Sequence, residues 1–584
     1  MPTLEWIGKD KVVNHHMDVP YRVLERKYSY DEAGQHDEDN GSENMIIHGD
    51  NLDALKSLLP QYEGRVKCIY IDPPYNTGNE KWVYNDNVND PRIRAWLGKV
   101  VGAEGEDLSR HDKWLCMMYP RLKLLQRLLS DDGVIFISID DTEYANLKCI
   151  CDEIFGLNCF VSNISWQRTY SMRNDAKGIP AEVEHILVYS KKIDWQPKKL
   201  ERTETMDSKY KNPDNDPRGA WRNIVASAPN AITHQGMVYA IQNPITGEYA
   251  YPPQGRCWSL GQDQMLEAMQ QWCSYKLLDL ADYSARAKIC NVSEDEVRKD
   301  VLAIVLDEDF VTAREKAKSI MEHGPLPEFF FSRNGTGALS RKAYLGQMGG
   351  RPVTNLWPFE ETGHTDEASR LLKAMFGGTA VFDTPKPPRL IERILHVTND
   401  SDAIILDSFA GSGTTAHAVL NTNKADGGNR KFILVEMMDY ADTITAERVK
   451  RVIDGYGSGR QAVEGTGGNF NYYEIGEPLM IGDVLNENVG VDKIREYVYF
   501  TDTKCRLPEA HPDEPYFLGI HVNSAYYFYY EKQEITTLNR EFLHTVKTKA
   551  DAYVIYADLC MLSDAELEKY HITFKKIPRD ITKL

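Results

Sequence analysis

Long apolar runs are missing from this 584-residue chain. None approaches the roughly 18 consecutive apolar residues a membrane span needs, so no membrane partner is expected. The ten cysteines contain no Cys-x-x-Cys pair, and the nearest two, Cys149 and Cys151, fall on an expected helix. That spacing argues against a zinc or disulfide framework and for reduced thiols in a cytoplasmic protein, with no metal expected. Adjacent His15 and His16 do not converge well on one ion, and they read as surface. Gly-Lys-Ser and Gly-Lys-Thr are absent, which argues against a P-loop nucleoside triphosphatase. Met1–Trp6 lacks a basic segment leading into an apolar one, so no secretion signal is expected. Excess positive charge is missing too, since the formal net charge is −19. A protein basic all over is excluded, but a local basic field is not. Residues 331–359 hold Arg333, Arg341, Lys342 and Arg351 and no acid.

What is present centres on residues 66–78. Val66–Ile71 is apolar and β-branched, the pattern of a buried parallel strand. Pro73 and Pro74 cannot continue it, because neither has an N–H for the ladder. Asp72 and Tyr75 therefore stand at a strand's carboxyl end, where open α/β sheets hold ligands. A stiff loop offering a carboxylate, free proline carbonyls and an aromatic face suits the gripping of a flat, amino-bearing ring.

The second motif lies far downstream. Ala403–Asp407 reads as a strand, Ser408–Thr415 as a Gly-rich turn, and Lys431–Glu436 as the next strand after a helix from Thr414 to about Leu420. This is a nucleotide-binding half-unit. Gly411 and Gly413 allow close backbone approach to a ligand, and Glu436 is placed to accept from ribose hydroxyls. Position 416 is Ala, which the dinucleotide fingerprint tolerates, so this loop alone leaves NAD open.

Between and around the motifs, composition suggests five segments. Residues 1–43 read as an extended arm with a mobile loop over Asp31–Gly41. Residues 44–190 form a first α/β half, with a strand at Met45–His48, a long polar loop over Asn76–Asp112, a helix at Trp114–Leu129, and strands at Val134–Ile139 and Val183–Ser190. Residues 191–345 break the pattern and read as an insert containing a long helical stretch from about Gly261 to His323. Residues 346–475 form the second α/β half, and 476–584 a final aromatic-rich mixed region.

Together, Asp72-Pro73-Pro74-Tyr75 and Asp407-x-Phe409-x-Gly411-x-Gly413-Thr414-Thr415 resemble the amino-group DNA methyltransferases that use S-adenosylmethionine. The catalytic motif precedes the cofactor motif, an order that matches the circularly permuted β group. Ile47-His48-Gly49-Asp50-Asn51 and Phe382-Asp383-Thr384-Pro385-Lys386-Pro387 extend the likeness. At finer grain the chain is similar to the Mod subunits of type III restriction–modification systems, on Trp6–Asp10, Asp72–Gly78, Pro253–Arg256 with Trp258, and Lys576–Arg579.

The resemblance implies an α/β fold: a Rossmann-like, circularly permuted methyltransferase sheet with an inserted target-recognition domain (191–345) and a C-terminal mixed domain for subunit contact (476–584). It implies methyl transfer to the N6 amine of a flipped adenine in double-stranded DNA. Asp72 and the Pro73 carbonyl would polarise the amine, Pro74 would stiffen the loop, and Tyr75 would stack on the base. S-adenosyl-L-methionine would be bound by Asp50 at the adenine edge and Glu436 at the ribose. Asp407, Phe409, Gly411, Gly413 and Thr414 would line its cleft. Thr384 and Lys386 would hold the methionine carboxylate, and an ionised Asp72 would suit the sulfonium. Arg256, Arg333 and Arg341 are candidate DNA contacts in the insert. A homodimer and a separate restriction subunit are the implied protein partners, and no cleavage is expected from this chain alone. Family members with Asp at the first motif position mostly modify adenine and those with Ser cytosine, which favours adenine here. Competing readings are an N4-cytosine or stand-alone enzyme, a catalytically idle DNA-binding module, and an RNA or protein-amide methyltransferase; the last usually carries Asn where Asp72 stands.

Overall fold

The computed structural model describes residues 3–77, 110–170 and 178–579. Of the loop expected over Asn76–Asp112, residues 78–109 lie outside the described residues. The chain forms two compact units, Met1–Lys198 with Val353–Leu584, and Lys199–Pro352.

One sheet organises the first unit. Its strands are β1 (Arg22–Asp31), β2 (Gly34–His36), β3 (Met45–His48), β4 (Val66–Ile71), β5 (Leu129–Ile139), β6 (Phe160–Gln167), β7 (Val183–Ser190), β8 (Leu356–Trp357), β9 (Ile404–Asp407), β10 (Lys431–Glu436) and β11 (Asn469–Pro478). Across the sheet they run β8-β6-β7-β5-β4-β9-β10-β3-β11-β1-β2. From β5 to β11 every neighbouring pair is parallel. Parallel strands are covered on both faces, which is why β4 and β10 are near-continuous apolar runs. The covering helices include α1 (Asn51–Tyr62), α2 (Arg110–Leu128), α3 (Tyr144–Phe155), α4 (Pro388–Thr398), α5 (Thr414–Asp426) and α6 (Glu447–Asp454). Leu52, Leu55, Leu58 and Leu59 of α1 join Leu115, Met118, Leu122 and Leu125 of α2 in one core. Each such side chain contributes about 1.5–3 kcal/mol by leaving water.

The topology places the two motifs side by side. After β4 the chain proceeds to β5 on one flank; after β9 it proceeds to β10 on the other. The adjacent pair β4 and β9 is thus the switch point, where open α/β sheets form a crevice at their carboxyl ends. Strands from two distant segments interleave here, as a circularly permuted, Rossmann-like methyltransferase sheet requires.

The first 43 residues are not an extended arm. β1 pairs antiparallel with β11 and β2, and the turn between β1 and β2 lies within Asp31–Gly41. Tyr28 and Tyr472 stack at 4.9 Å, and Ser29 donates to Asn471 at 2.5 Å. The charged residues Arg22, Glu25, Arg26 and Lys27 precede these contacts in the same strand, so the segment reads as polar although its end at Tyr28–Tyr30 is packed. β11 reaches Pro478, past the expected boundary at 476. Beyond it, four strands, Phe517–His521, Ser524–Phe528, Ala552–Ala557 and Ile572–Lys576, form a small sheet whose inner face holds Tyr527 against Phe517 and Phe542.

The second unit runs from Lys199 to Pro352, against 191–345 read from composition. The single helical stretch expected there is three helices, Gln262–Met269, Tyr283–Cys290 and Phe310–His323. Strands Tyr275–Leu278 and Ala303–Leu306 pair antiparallel between them. Apolar runs this short do not separate helix from strand by period, so only the pairing decides. Lys342 is buried in this unit between Asp214 and Asp216, 2.6 Å from each.

Candidate active site

β4 ends at Ile71, and the loop after it is held from three sides. The Pro74 carbonyl accepts from Trp114 Nε1 of α2 at 2.6 Å. Asn76 sits in the left-handed region at φ 58°. Its amide donates to the buried carboxylate of Glu143, which also pairs with His111 Nδ1 at 2.6 Å.

Four charged side chains meet in the cavity above this loop. The Tyr75 hydroxyl lies 2.8 Å from Asp72 Oδ1 and 3.1 Å from Glu184 Oε2. Lys386 Nζ donates to Asp72 Oδ2 at 2.7 Å and to the Tyr75 hydroxyl at 2.9 Å, and it stands 3.5 Å from Glu184 Oε2. Arg168 Nη1 binds the other Glu184 oxygen at 2.6 Å. Burial raises the Asp72 carboxyl above the usual range, against the pull of Lys386. Burial acts on Glu184 in the same direction, but there Lys386 and Arg168 outweigh it and hold the carboxyl low. Burial alone would lower the Lys386 ammonium, yet Asp72 and Glu184 raise it.

The second wall is the Gly-rich turn after β9. Asp407 is buried and accepts from Phe409 N at 3.0 Å and from Thr415 Oγ1 at 2.5 Å, which folds the turn back onto its own strand. Burial pushes its carboxyl up to about 7, with Thr415 and the Phe409 N–H opposing. Gly411 (φ 52°) donates its N–H to Glu436 Oε2 at 2.8 Å, and Met438 N donates to the other Glu436 oxygen at 3.0 Å. Burial also pushes Glu436 up to about 7, against those two N–H groups. Gly413 (φ 80°) opens α5 in a backbone conformation that favours glycine, and a Cβ there would crowd the Thr445 carbonyl at 3.0 Å. Arg448 of α6 lies fully buried beneath the turn, donating to Ser412 Oγ at 2.8 Å and Thr414 Oγ1 at 2.7 Å. Thr384 has φ 47°, a conformation that costs a β-branched residue about 1–3 kcal/mol and concentrates at functional segments.

One cavity of about 210 Å³ gathers most of the residues singled out from the sequence. Asp72, Pro73, Pro74, Tyr75, Thr384, Lys386, Asp407, Phe409, Gly411 and Thr414 all line it. Asp50, Gly413 and Glu436 do not. Asp50 caps α1 by accepting from Leu52 N at 2.7 Å and pairs with the buried Arg121 at 3.2 Å. Lys386, read as a cofactor contact, rests on Asp72. Composition missed Glu184, Arg168 and Asp140, which also line the cavity. The available signal was an acid inside an apolar strand, Glu184 in Val183–Ser190.

The three arginines singled out in the insert are in the second unit. Arg256 is tied to Ser227 Oγ at 2.8 Å, Arg341 is paired with Glu328 at 2.8 Å, and Arg333 is exposed in a left-handed turn. Among the described residues no group of three or more His, Cys, Asp or Glu is arranged to hold a metal, and no helix is long and apolar enough to cross a membrane.

Comparison with known proteins adds four findings. A DNA methylase family model of the N6/N4 type matches residues 66–272 and 310–447. The chain is 31% identical over 501 residues to the Mod subunit of the type III restriction–modification enzyme StyLTI of Salmonella typhimurium, a match covering 81% of this chain and 66% of that protein. It is 30% identical over 404 residues to the type II methyltransferase M.KpnI of Klebsiella pneumoniae, covering 68% of this chain and 81% of that one. Among solved structures, the M1.HpyAVI–SAM complex aligns over 69% of this chain and 99% of its own at 14% identity and a TM-score of 0.26. The match thus spans about two thirds of the length of the Salmonella relative.

Proposed function

The chain belongs to the DNA methylase family, and from that membership we propose that it moves a methyl group from S-adenosyl-L-methionine to the N6 amine of an adenine in double-stranded DNA. The observation that carries this reading is the shared cavity. Asp72 and Tyr75, at the carboxyl end of β4, face the Gly411–Thr414 turn that follows neighbouring β9 and the Thr384–Lys386 segment that leads into α4.

The cofactor's part is a methyl group activated by a sulfonium. This chain's residues would do the rest. A base amine is a poor nucleophile because its lone pair is delocalised into the ring. Asp72 and the Pro73 carbonyl would accept its two N–H groups and favour the pyramidal form. That is positioning and electrostatics, with no covalent enzyme intermediate. Tyr75 would stack on the base, worth about 1–3 kcal/mol. A base inside a duplex is out of reach, so it must be flipped out. A carboxylate is a stronger acceptor than a hydroxyl, which supports adenine by the family pattern at this position.

The cavity's donor set fits the cofactor. Thr384 and Lys386 would hold its carboxylate, and Asp407, Phe409, Gly411 and Thr414 would shape its cleft. Each Glu436 oxygen accepts one backbone N–H, which leaves lone pairs for ribose hydroxyls. Gly413 would contribute by packing, and Asp50, whose side chain is 37% exposed, would approach the adenine edge.

Likeness to a Mod subunit supports the second unit as the reader of DNA sequence, with Arg333 as its exposed candidate. It also supports partnership with a restriction subunit and with a second copy of this chain through residues 476–584. Ten unpaired thiols suit the cytoplasm. Likeness to M.KpnI supports a second reading, methylation without a restriction partner. The test is to methylate DNA with methyl-labelled cofactor and digest it to nucleosides. Label in deoxyadenosine is expected; label confined to deoxycytidine overturns the assignment.

A further inference from the structure

Both oxygens of Asp72 are occupied. Oδ1 takes the Tyr75 hydroxyl at 2.8 Å and Oδ2 takes the Lys386 ammonium at 2.7 Å. Each oxygen keeps a further lone pair, but an ammonium and a hydroxyl held on the carboxylate draw off its charge, so it polarises an incoming amine fully only when at least one of these donors leaves. A displaced hydroxyl or ammonium stays inside the cavity, where an unpaired polar group costs about 1–3 kcal/mol and a charge more. The displaced groups therefore need a second acceptor.

Glu184 stands where that acceptor must be. Its Oε2 lies 3.1 Å from the Tyr75 hydroxyl and 3.5 Å from Lys386 Nζ, the same two donor atoms. It projects from β7, the third strand from one edge of the sheet, its side chain is 5% exposed, and its other oxygen is fixed by Arg168 at 2.6 Å. The acceptor is held by Arg168 on one oxygen, while each donor can turn about its own terminal bond. Tyr75 has one proton and already lies within reach of both carboxylates, so a rotation of the hydroxyl exchanges one for the other. Lys386 is within 1 Å of a normal contact with Glu184. Arg168 and Lys386 keep the Glu184 carboxyl ionised, so it stays an acceptor at neutral pH.

We infer that Glu184 is a positioning residue that takes the Tyr75 hydroxyl and the Lys386 ammonium as Asp72 turns to the target amine. The inference rests on the reading of Asp72 as the amine's acceptor. It assigns Glu184 no contact with base or cofactor. Without it, Tyr75 and Lys386 remain on Asp72, and the amine competes with them.

The test uses the full chain and compares single-turnover methylation, DNA affinity and cofactor affinity in Glu184→Gln, Tyr75→Phe and the double variant. Tyr75→Phe keeps the stacking ring and removes the hydroxyl that must be rehoused. Glu184→Gln should slow methyl transfer about 100-fold, the scale of a small misplacement at a reacting centre, with both affinities within a few-fold of wild type. In the Tyr75→Phe background the same change should cost at least about tenfold less, because one displaced donor is gone. Equal cost in both backgrounds, or unimpaired methylation by Glu184→Gln, overturns the inference. If Glu184→Gln fails to fold, Arg168→Gln replaces it with the same expected suppression. Asp72→Asn separates the two claims. An active Asp72→Asn sinks the reading of Asp72 itself, whereas an inactive one beside an active Glu184→Gln sinks only the role of Glu184.

Discussion

The indole of Trp114 donates to the carbonyl of Pro74 at 2.6 Å, tying the loop after β4 to the first turns of α2. Trp114 is fully buried, and the carbonyl it serves has no ladder to join. Trp114→Phe keeps most of the packing and removes the donor. We expect a loss of about 1–3 kcal/mol in urea unfolding, the cost of an unmet buried carbonyl. Methylation should fall more than stability does, because the loop that carries Asp72 and Tyr75 loosens. Unchanged stability would show that the contact is replaceable.

Asp72→Ala should reduce methyl transfer by at least about 100-fold, the scale of removing one preorganised electrostatic contact. Folding should survive, since Lys386 keeps Glu184 within reach at 3.5 Å. Cofactor binding by titration calorimetry should be largely intact. Activity within a few-fold of wild type would remove Asp72 from the mechanism.

Asp407 gives a pH signature with a definite sign. Its folded-state value, about 7, lies above the ordinary carboxylate range. The folded chain therefore holds its proton more tightly than the unfolded chain, and stability from this group is present below about pH 4. It is lost as pH rises through about 7. In Asp407→Asn this slope disappears. Thermal midpoints of the two proteins between pH 5 and 8.5 should diverge, wild type losing more on the alkaline side. Parallel curves would contradict the assignment.

Arg448 fixes the hydroxyls of Ser412 and Thr414 from below, and burial lowers its guanidinium to about 9. Arg448→Met fills the space and leaves those hydroxyls without their donor. We expect cofactor affinity to fall about tenfold, equivalent to 1.4 kcal/mol, while DNA affinity stays unchanged. Parallel losses in both would mean a general loss of structure.

Exchanging residues 199–352 for the corresponding unit of a related enzyme should move the methylated motif. An unchanged motif in an active chimera would assign recognition elsewhere. DNA affinity should also fall steeply with salt despite the net charge of −19, because phosphate contacts release counterions.

Sequence by itself determined the parts of this protein that depend on local chemistry. Strand β4 was legible in Val66–Ile71 because a strand buried on both faces needs an unbroken apolar run. Its end was legible in Pro73 and Pro74 because proline has no N–H. The turn after β9 was legible in Gly411 and Gly413, both of which take positive φ. Tertiary structure alone decided which of these distant pieces touch. Lys386 reads as a cofactor contact from its neighbours in sequence, yet it rests on Asp72, with its own carbonyl held by Thr414 of the turn after β9 at 3.2 Å. Glu184 has no local motif at all. Its place in the site follows from where β7 falls relative to β4, two positions away across β5. Arm and boundary went the same way: β1 is a polar segment by composition and a sheet strand by its pairing with β11. Local propensity acts over a few residues, whereas strand order is set by long-range pairing. A single sequence shows the first directly, and the folded chain is needed for the second.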